Sequence, residues 1–208
     1  MGVTVLQHFP IPENQTGPTT IEWITKKITA LGAMQQGQFL VDCETYISVP
    51  QLGAQRTVHV LHNSEQPATV FSILETGAKT IPLITDGLFD LLIIKMVNFY
   101  QKQIKIESKG PRFEIGDFCV KIGCVTMNSA FKGILVEVEY RPCDIPSMCW
   151  NLLREFLQGF LGNVVLNNPP PYLQNRLQEV YTPIDTIQQY LEHFTSYRKS
   201  VGTFQNVK

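Results

Sequence analysis

The feature that most constrains the fold of this chain is the alternation of apolar and polar residues along residues 132–141. Within this segment Ile134, Val136, Val138 and Tyr140 alternate with Leu135, Glu137, Glu139 and Arg141. Successive side chains of a β-strand point to opposite faces, so this pattern predicts a strand. A second alternating segment starts at Gln38 and continues to Ile47. The body of the molecule is therefore expected to be mainly β-sheet.

Further short β-rich segments follow the same pattern and are separated by turn-forming residues. They cover 57–62, 69–75, 103–108, 112–116 and 118–127, with a weaker candidate at 80–85. Seven or eight short strands of this kind are typical of an antiparallel sheet that is closed or nearly closed into a barrel. A doubly wound parallel sheet is disfavoured, because helices do not regularly separate the strands.

Helical spacing of apolar residues predicts four helices around these strands. One covers 20–31 near the N-terminus, with Gly32 as its stop, and another covers 86–101. Two more, at 147–161 and 183–199, end the chain. We therefore predict an α+β, mainly β fold: an antiparallel β-barrel of about eight strands flanked by helices. A single domain over residues 1–208 is expected, because all-β bodies of this length are commonly undivided.

The predicted helix 147–161 is apolar over most of its circumference. A helix on a domain surface usually has an apolar arc just over ~100° wide, and this one is wider. Deep burial against the barrel would explain the width, as would a partner on the second side. On the second interpretation, the candidate interface residues are Trp150, Phe156 and Phe160.

The charge composition limits the classes of function. Lys and Arg total 17, Asp and Glu total 18, and charged residues are only 17% of the chain. General disorder is excluded, and whole-domain nucleic-acid binding is disfavoured because such domains carry a basic excess. Residues 95–112 hold five basic side chains, which either contact nucleic acid or form a rim of ion pairs. So few charges indicate that a partner covers part of the surface.

No signal peptide is expected, because the N-terminal segment lacks a basic region and its apolar stretch ends by Gln7. No apolar run reaches the ~18 residues that cross a bilayer; the longest, 88–97, contains Asp90 and Lys95. The 5 cysteines are an odd number. Reduced thiols are therefore expected, in the cytosol or nucleus.

The common motifs of catalysis and metal binding are absent from the sequence, and no cofactor is expected. The cysteines and histidines lack zinc-site spacing, and the chain contains neither a nucleophile elbow nor a phosphate-binding glycine loop. One acidic pair, Glu137 and Glu139, shares a strand face. Two glutamates on a solvated face are the ordinary explanation. The alternative is a Mg²⁺ or Mn²⁺ site like that of tunnel-type metal-dependent triphosphatases, which requires the two carboxylates to converge with other acids inside the barrel.

Taken in order along nearly the whole chain, several short segments resemble the family of subunit 20 of the Mediator complex, the RNA polymerase II coactivator. These segments are Met1-Gly2-Val3-Thr4, Val41-Asp42-Cys43-Glu44-Thr45-Tyr46, His62-Asn63-Ser64-Glu65, Val136-Glu137-Val138-Glu139-Tyr140, Cys149-Trp150, Glu155-Phe156-Leu157-Gln158 and Gln189-Tyr190-Leu191-Glu192. None of them is a catalytic motif, so the specificity of the resemblance rests on their number and order.

The resemblance implies a nuclear, non-enzymatic scaffold subunit of the Mediator head module. Its implied partner is Mediator subunit 18, in a heterodimer that subunit 8 tethers to the rest of the head, with RNA polymerase II contacted indirectly. No membrane and no direct nucleic-acid contact are implied. The family fold is a barrel of antiparallel strands with flanking helices, related in shape to the tunnel triphosphatases but without their active site.

Overall fold

The computed structural model describes residues 2–77 and 79–202, so Met1 of the first family segment lies outside the described residues. The strands are β1 (Val3–Phe9), β2 (Met34–Ser48), β3 (Arg56–Asn63), β4 (Val70–Thr76), β5 (Lys79–Thr85), β6 (Tyr100–Lys102), β7 (Ile106–Ile115), β8 (Phe118–Met127) and β9 (Ala130–Tyr140). The helices are α1 (Gly17–Ala30), α2 (Leu88–Lys95), α3 (Pro146–Leu161), α4 (Pro171–Gln174) and α5 (Pro183–Gly202).

The strand order is β1-β9-β8-β7-β2-β3-β4-β5, with β6 paired to β2 outside this path. The strand pairs β1·β9, β2·β3, β2·β6, β3·β4 and β4·β5 are all antiparallel. The prediction of an antiparallel, mainly β fold with an N-terminal helix and two long C-terminal helices is therefore confirmed. Among the described residues the order ends at β1 and β5, so the sheet is not closed.

The structure differs from the sequence prediction in several segments, and three of these differences concern strands. The helix predicted over 86–101 ends at Lys95, because the chain turns after Met96 and pairs with β2 as β6. The two strands predicted at 103–108 and 112–116 are one strand, β7. A Cβ on Gly110 would lie 2.0 Å from the Ile122 carbonyl oxygen, so glycine is what allows the β8 backbone to approach here. The third segment, β1, was not predicted.

Helix α1 starts earlier than the sequence suggested. Thr16 is the N-cap: its side chain accepts a hydrogen bond from the Thr19 backbone N–H, and the Thr19 hydroxyl accepts one from the Thr16 backbone N–H. This reciprocal capping box satisfies N–H groups that have no partner within the helix. At the other end Gly32 has φ +98°, which confirms it as the stop.

The chain groups into two compact units, and whether it is one folding domain stays a prediction. Unit 1 is drawn from Met1–Gln38, Lys109–Val125 and Phe131–Lys208, and unit 2 from Phe39–Ser108 and Thr126–Ala130. In unit 1, one sheet face packs against α1 and α3. The buried cluster there includes Val5, Val138, Ile24, Ile28, Leu153, Leu157 and Phe160.

Helix α5 covers the opposite face of the unit 1 sheet and also its β1 edge. The Gln189 side-chain amide donates to the Thr4 carbonyl oxygen at 2.9 Å, and its oxygen accepts from the Leu6 backbone N–H at 3.2 Å. These two backbone groups belong to the edge strand β1, so one buried glutamine satisfies polar groups that an adjoining strand would otherwise occupy.

In unit 2, α2 lies against one face of β2, β3 and β4. Ile93 is its buried residue and packs with Tyr46, Val58, Val60 and Val70. Leu74, Phe89 and Tyr100 add to this cluster. The cluster is small, so most apolar side chains of α2 are left outside it.

Candidate interaction surfaces

The three residues predicted on α3 differ in exposure. Phe160 is 1% exposed and belongs to the unit 1 core. Phe156 is partly buried and stacks on Phe118 with ring centroids 4.0 Å apart. Trp150 is partly buried too, and its indole N–H donates to the Asn167 carbonyl oxygen at 3.2 Å. Most of the large apolar area of this helix therefore contacts the chain itself.

The second side of α3 still exposes apolar residues. Met148 is 77% exposed and Leu152 is 44% exposed. They define the α3 surface, and its role as a partner contact stays a prediction.

Glu137 lies in a buried ionic cluster, so the expectation of a solvated face is wrong for this residue. Its side chain is 5% exposed and that of Lys121 is 3% exposed, with Lys121 Nζ 2.8 Å from Glu137 Oε1. The Tyr190 hydroxyl of α5 donates to Glu137 Oε2. Both carboxylate oxygens thus bind neighbouring side chains, which offsets the cost of burying the charge.

The Glu139 carboxylate has a different environment from that of Glu137. Its Oε1 accepts a hydrogen bond from the Gly2 backbone N–H at 2.8 Å. Within residues 2–77 and 79–202 no group of three or more His, Cys, Asp or Glu side chains could hold a metal ion. The convergence of acids that a triphosphatase site requires is therefore not seen in the part of the chain that the structure describes.

Unit 2 exposes a dense set of apolar side chains on β5, on α2 and just after α2. We call them the β5–α2 surface: Ile81, Leu83, Ile84, Leu88, Leu91, Leu92, Ile94, Val97 and Phe99, all at least 41% exposed. Their exposed fractions run from 41% for Ile81 to 69% for Leu88. Exposed apolar side chains in such number on one short segment are typical of a surface that contacts another molecule.

An ionic rim adjoins this apolar surface. His62 on β3 lies between two carboxylates: Nδ1 is 2.9 Å from Asp42 Oδ1, and Nε2 is 3.1 Å from Asp90 Oδ1. Lys105 Nζ lies 2.9 Å from the other Asp42 oxygen. Asp90 is a residue of α2, so His62 ties this helix to the sheet.

The two carboxylates change the acidity of His62. Hydrogen bonding to Asp42 raises the pKa of His62 to about 9, with burial opposing the rise and Asp90 adding to it. For the Asp42 carboxyl, burial acts in the direction of a higher pKa. Hydrogen bonds from His62 and Lys105 outweigh this effect, so the pKa of Asp42 lies below its ordinary value. At neutral pH the cluster is therefore an ion triad with a protonated histidine.

We expect an NMR titration to show His62 protonated well above its ordinary range. Its pKa should lie near 9 in the native chain and fall towards 6.5 in Asp42→Asn. His193 is the internal control, because burial lowers its pKa to about 4. The contribution of protonated His62 to the anchoring of α2 should be complete below about pH 6.5. It should weaken as pH rises through 9, because His62 then loses its proton. A His62 pKa near 6.5 in both proteins would contradict the triad.

The basic cluster of residues 95–112 is partly neutralised by acids. Lys102 pairs with Glu44 at 2.8 Å, Lys105 with Asp42, and Arg112 with Glu114 at 2.7 Å. Ion pairs of this kind favour the interpretation as a charged rim over that as a nucleic-acid site. The expectation of no direct nucleic-acid contact stays a prediction.

The comparison with protein families matches this chain over residues 1–195 to the family described as the TATA-binding related factor (TRF) of subunit 20 of Mediator complex. The chain belongs to the Mediator subunit 20 family.

The relatives within this family span nearly the same length. Mediator of RNA polymerase II transcription subunit 20 of Aedes aegypti is 62% identical over 96% of this chain and 95% of its own. The Homo sapiens protein of the same name is 45% identical, with the same coverage. The resemblance found in the sequence is thus confirmed, and this member of the Mediator subunit 20 family is a component of a transcription complex.

Solved structures show only a distant likeness to this member of the Mediator subunit 20 family. A protein of Pyrococcus horikoshii is 15% identical over 78% of this chain and 90% of its own, with a TM-score of 0.46. A likeness at this level carries no argument about function. None of the helices in the described part of the chain combines the length and apolar character needed to cross a membrane.

Sequence reasoning missed the β5–α2 surface, although a signal was present. The run from Leu88 to Val97 is the longest apolar run considered and is interrupted by Asp90 and Lys95. The run is too short for a membrane span, and the prediction of a helix over 86–101 did not show which of its apolar side chains would stay exposed. The His62 triad was missed for another reason: Asp42, His62 and Asp90 meet only through strand pairing and the position of α2.

Proposed function

We propose that this chain is a non-enzymatic structural subunit of the Mediator head module. It acts in the nucleus and supports regulated RNA polymerase II transcription through protein–protein contacts, with the polymerase itself contacted indirectly. Its direct partner is Mediator subunit 18, and subunit 8 tethers the pair to the rest of the head. Membership of the Mediator subunit 20 family supports this proposal.

The observation that carries the proposal is the exposed apolar area of unit 2. Nine large apolar side chains between Ile81 and Phe99 are solvent-exposed in the isolated chain. Exposed apolar side chains in such number are typical of surfaces that take part in protein–protein contacts. A subunit that is always assembled would keep such a surface covered.

The acidic pair supports a structural role more than a catalytic one. Glu137 binds Lys121 and Tyr190 inside unit 1, and Glu139 accepts a hydrogen bond from the Gly2 backbone. A triphosphatase would need these carboxylates available for a metal ion. No observation in the described residues favours this second function.

Affinity purification of the tagged full-length chain from nuclear extract, with mass spectrometry of the eluate, tests the proposal. We expect subunits 18 and 8 and the other head-module subunits to be recovered in near-stoichiometric amounts. A cytosolic extract prepared in parallel and an unrelated tagged protein are the controls. Recovery of the chain without any Mediator subunit would contradict the proposal.

A further inference from the structure

We propose that a cavity of unit 1, between β1, β9 and α5, binds an oxyanion of the phosphate class, as free phosphate or as the phosphoryl group of a phosphorylated side chain. The site belongs to unit 1 alone and adds a ligand to the protein contacts proposed above. The cavity has a volume of about 290 Å³, close to the lower limit of the roughly 300–1,000 Å³ of small-molecule sites, so it suits a compact ligand. Its lining consists of basic and hydroxyl-bearing side chains: His8, Lys132, His193, Ser196 and Tyr197.

Three elements of the fold supply these side chains. His8 is the next-to-last residue of β1, and Lys132 lies near the start of β9, the strand that pairs with β1. The remaining three residues belong to α5 and follow the i, i+3, i+4 spacing that places side chains on one face of a helix: His193, Ser196 and Tyr197. The cavity is therefore formed where this face of α5 meets the ends of the two strands.

Tyr197 is a fixed wall of the cavity. Its ring lies against that of His8, with centroids 5.7 Å apart, and its hydroxyl donates to the Ile134 carbonyl oxygen at 3.4 Å. A Cβ on Gly133 would lie 2.7 Å from the Tyr197 ring, so glycine is what allows the ring to approach β9. The wall is thus in place before a ligand binds, which lowers the entropic cost of binding.

The charges of the cavity favour an anion. A lysine ammonium is positively charged at neutral pH, and none of the described residues that line the cavity is an acid. Within residues 2–77 and 79–202 the Lys132 ammonium forms no ion pair, whereas Lys102, Lys105 and Lys121 each pair with a carboxylate. A bound oxyanion would supply the missing counter-charge, and lysine is a common phosphate-binding residue.

The two histidines couple this site to pH. Burial lowers the pKa of His193 to about 4 and holds that of His8 below its ordinary value. The other side chains of the cavity that carry a titratable group are Lys132 and Tyr197. Glu192 lines the adjoining cavity, which shares both histidines, and burial raises the pKa of Glu192. A bound anion stabilises the imidazolium form of His8, so binding should raise the pKa of His8 and become tighter as pH falls below neutral.

Titration of the full-length chain with inorganic phosphate, followed by NMR of the histidine rings, tests the proposal. We expect saturable shifts of the His8 and His193 signals, unchanged signals of His59 and His62, and a higher pKa of His8 in the bound state. Sodium chloride at the same ionic strength is the control for screening and should not reproduce the shifts.

Three variants locate the site. Lys132→Met should weaken phosphate binding about tenfold or more, because it removes a charged donor. Lys26→Met, which removes an exposed lysine of α1, is the matched control and should bind like the native chain. Ser196→Ala removes a neutral donor at an exposed position of α5 and should weaken binding severalfold. It carries the test by itself if Lys132→Met changes the thermal midpoint.

A second titration with N-acetyl-phosphoserine methylamide distinguishes the two sources of the phosphoryl group. Equal affinity for this compound and for inorganic phosphate would identify the free anion as the ligand. Binding at least tenfold tighter than that of inorganic phosphate would identify a phosphorylated side chain. Absence of saturable binding to either compound, identical shifts with chloride, or native affinity in both Lys132→Met and Ser196→Ala would overturn the proposal.

Discussion

Replacing Lys121 with Met should lower the free energy of unfolding by about 3–5 kcal/mol, because it leaves a buried carboxylate without its cation. The Lys121 and Glu137 side chains are 3% and 5% exposed, so water cannot replace the lost partner. Tyr190 would still donate to Glu137, but one neutral hydrogen bond does not offset a buried negative charge. Chemical denaturation followed by circular dichroism measures the change.

Two further variants separate charge from packing at this site. Lys26→Met changes the same residue type in the exposed ion pair with Glu22 and should leave the denaturation midpoint unaltered. In Lys121→Met combined with Glu137→Gln, much of the lost stability should return, because the amide oxygen still accepts from Tyr190 and no charge is buried. A double variant no more stable than the single one would contradict the electrostatic explanation.

Replacing Phe160 with Ala should lower the free energy of unfolding by about 3–5 kcal/mol, the usual cost of removing a large aromatic side chain from a core. Phe160 is 1% exposed and its ring contacts that of Phe156, with centroids 5.5 Å apart. Denaturation of the isolated chain measures the effect without any partner present.

The matched control on the same helix is Met148→Ala. Met148 is 77% exposed, so its truncation should change the stability of the isolated chain by less than about 0.5 kcal/mol. If instead Phe160→Ala left the isolated chain as stable as the native one and weakened only partner binding, the assignment of Phe160 to the core would be contradicted.

The sequence predicts best those strands in which apolar and polar residue types alternate, whether or not the polar residues are exposed. In β9 the alternation predicted a strand over 132–141, and the structure has Ala130–Tyr140. The strand β1 was missed because Val3, Thr4, Val5 and Leu6 are all buried, so no alternation marks it. Burial on both faces depends on α5, which lies far away in sequence, and local periodicity does not report it.

The candidate site was less predictable than the fold, because the sequence shows which residues are apolar but not which of them find a partner within the chain. Phe160 and Leu91 are equally good interface candidates by residue type. The structure buries Phe160 under the sheet and leaves Leu91 56% exposed. The same limit applies to Glu137, whose partners Lys121 and Tyr190 come from a neighbouring strand and a distant helix.

Gln189, which hydrogen-bonds the backbone of β1, limits the association of further copies through this edge of the sheet. A sheet open at both ends can recruit copies in series and grow into a filament, as edge-to-edge aggregates do. With Gln189 holding the Thr4 and Leu6 positions, the sheet is terminated on that side. A further copy cannot add a strand at β1 without displacing Gln189, which favours a finite assembly over a filament.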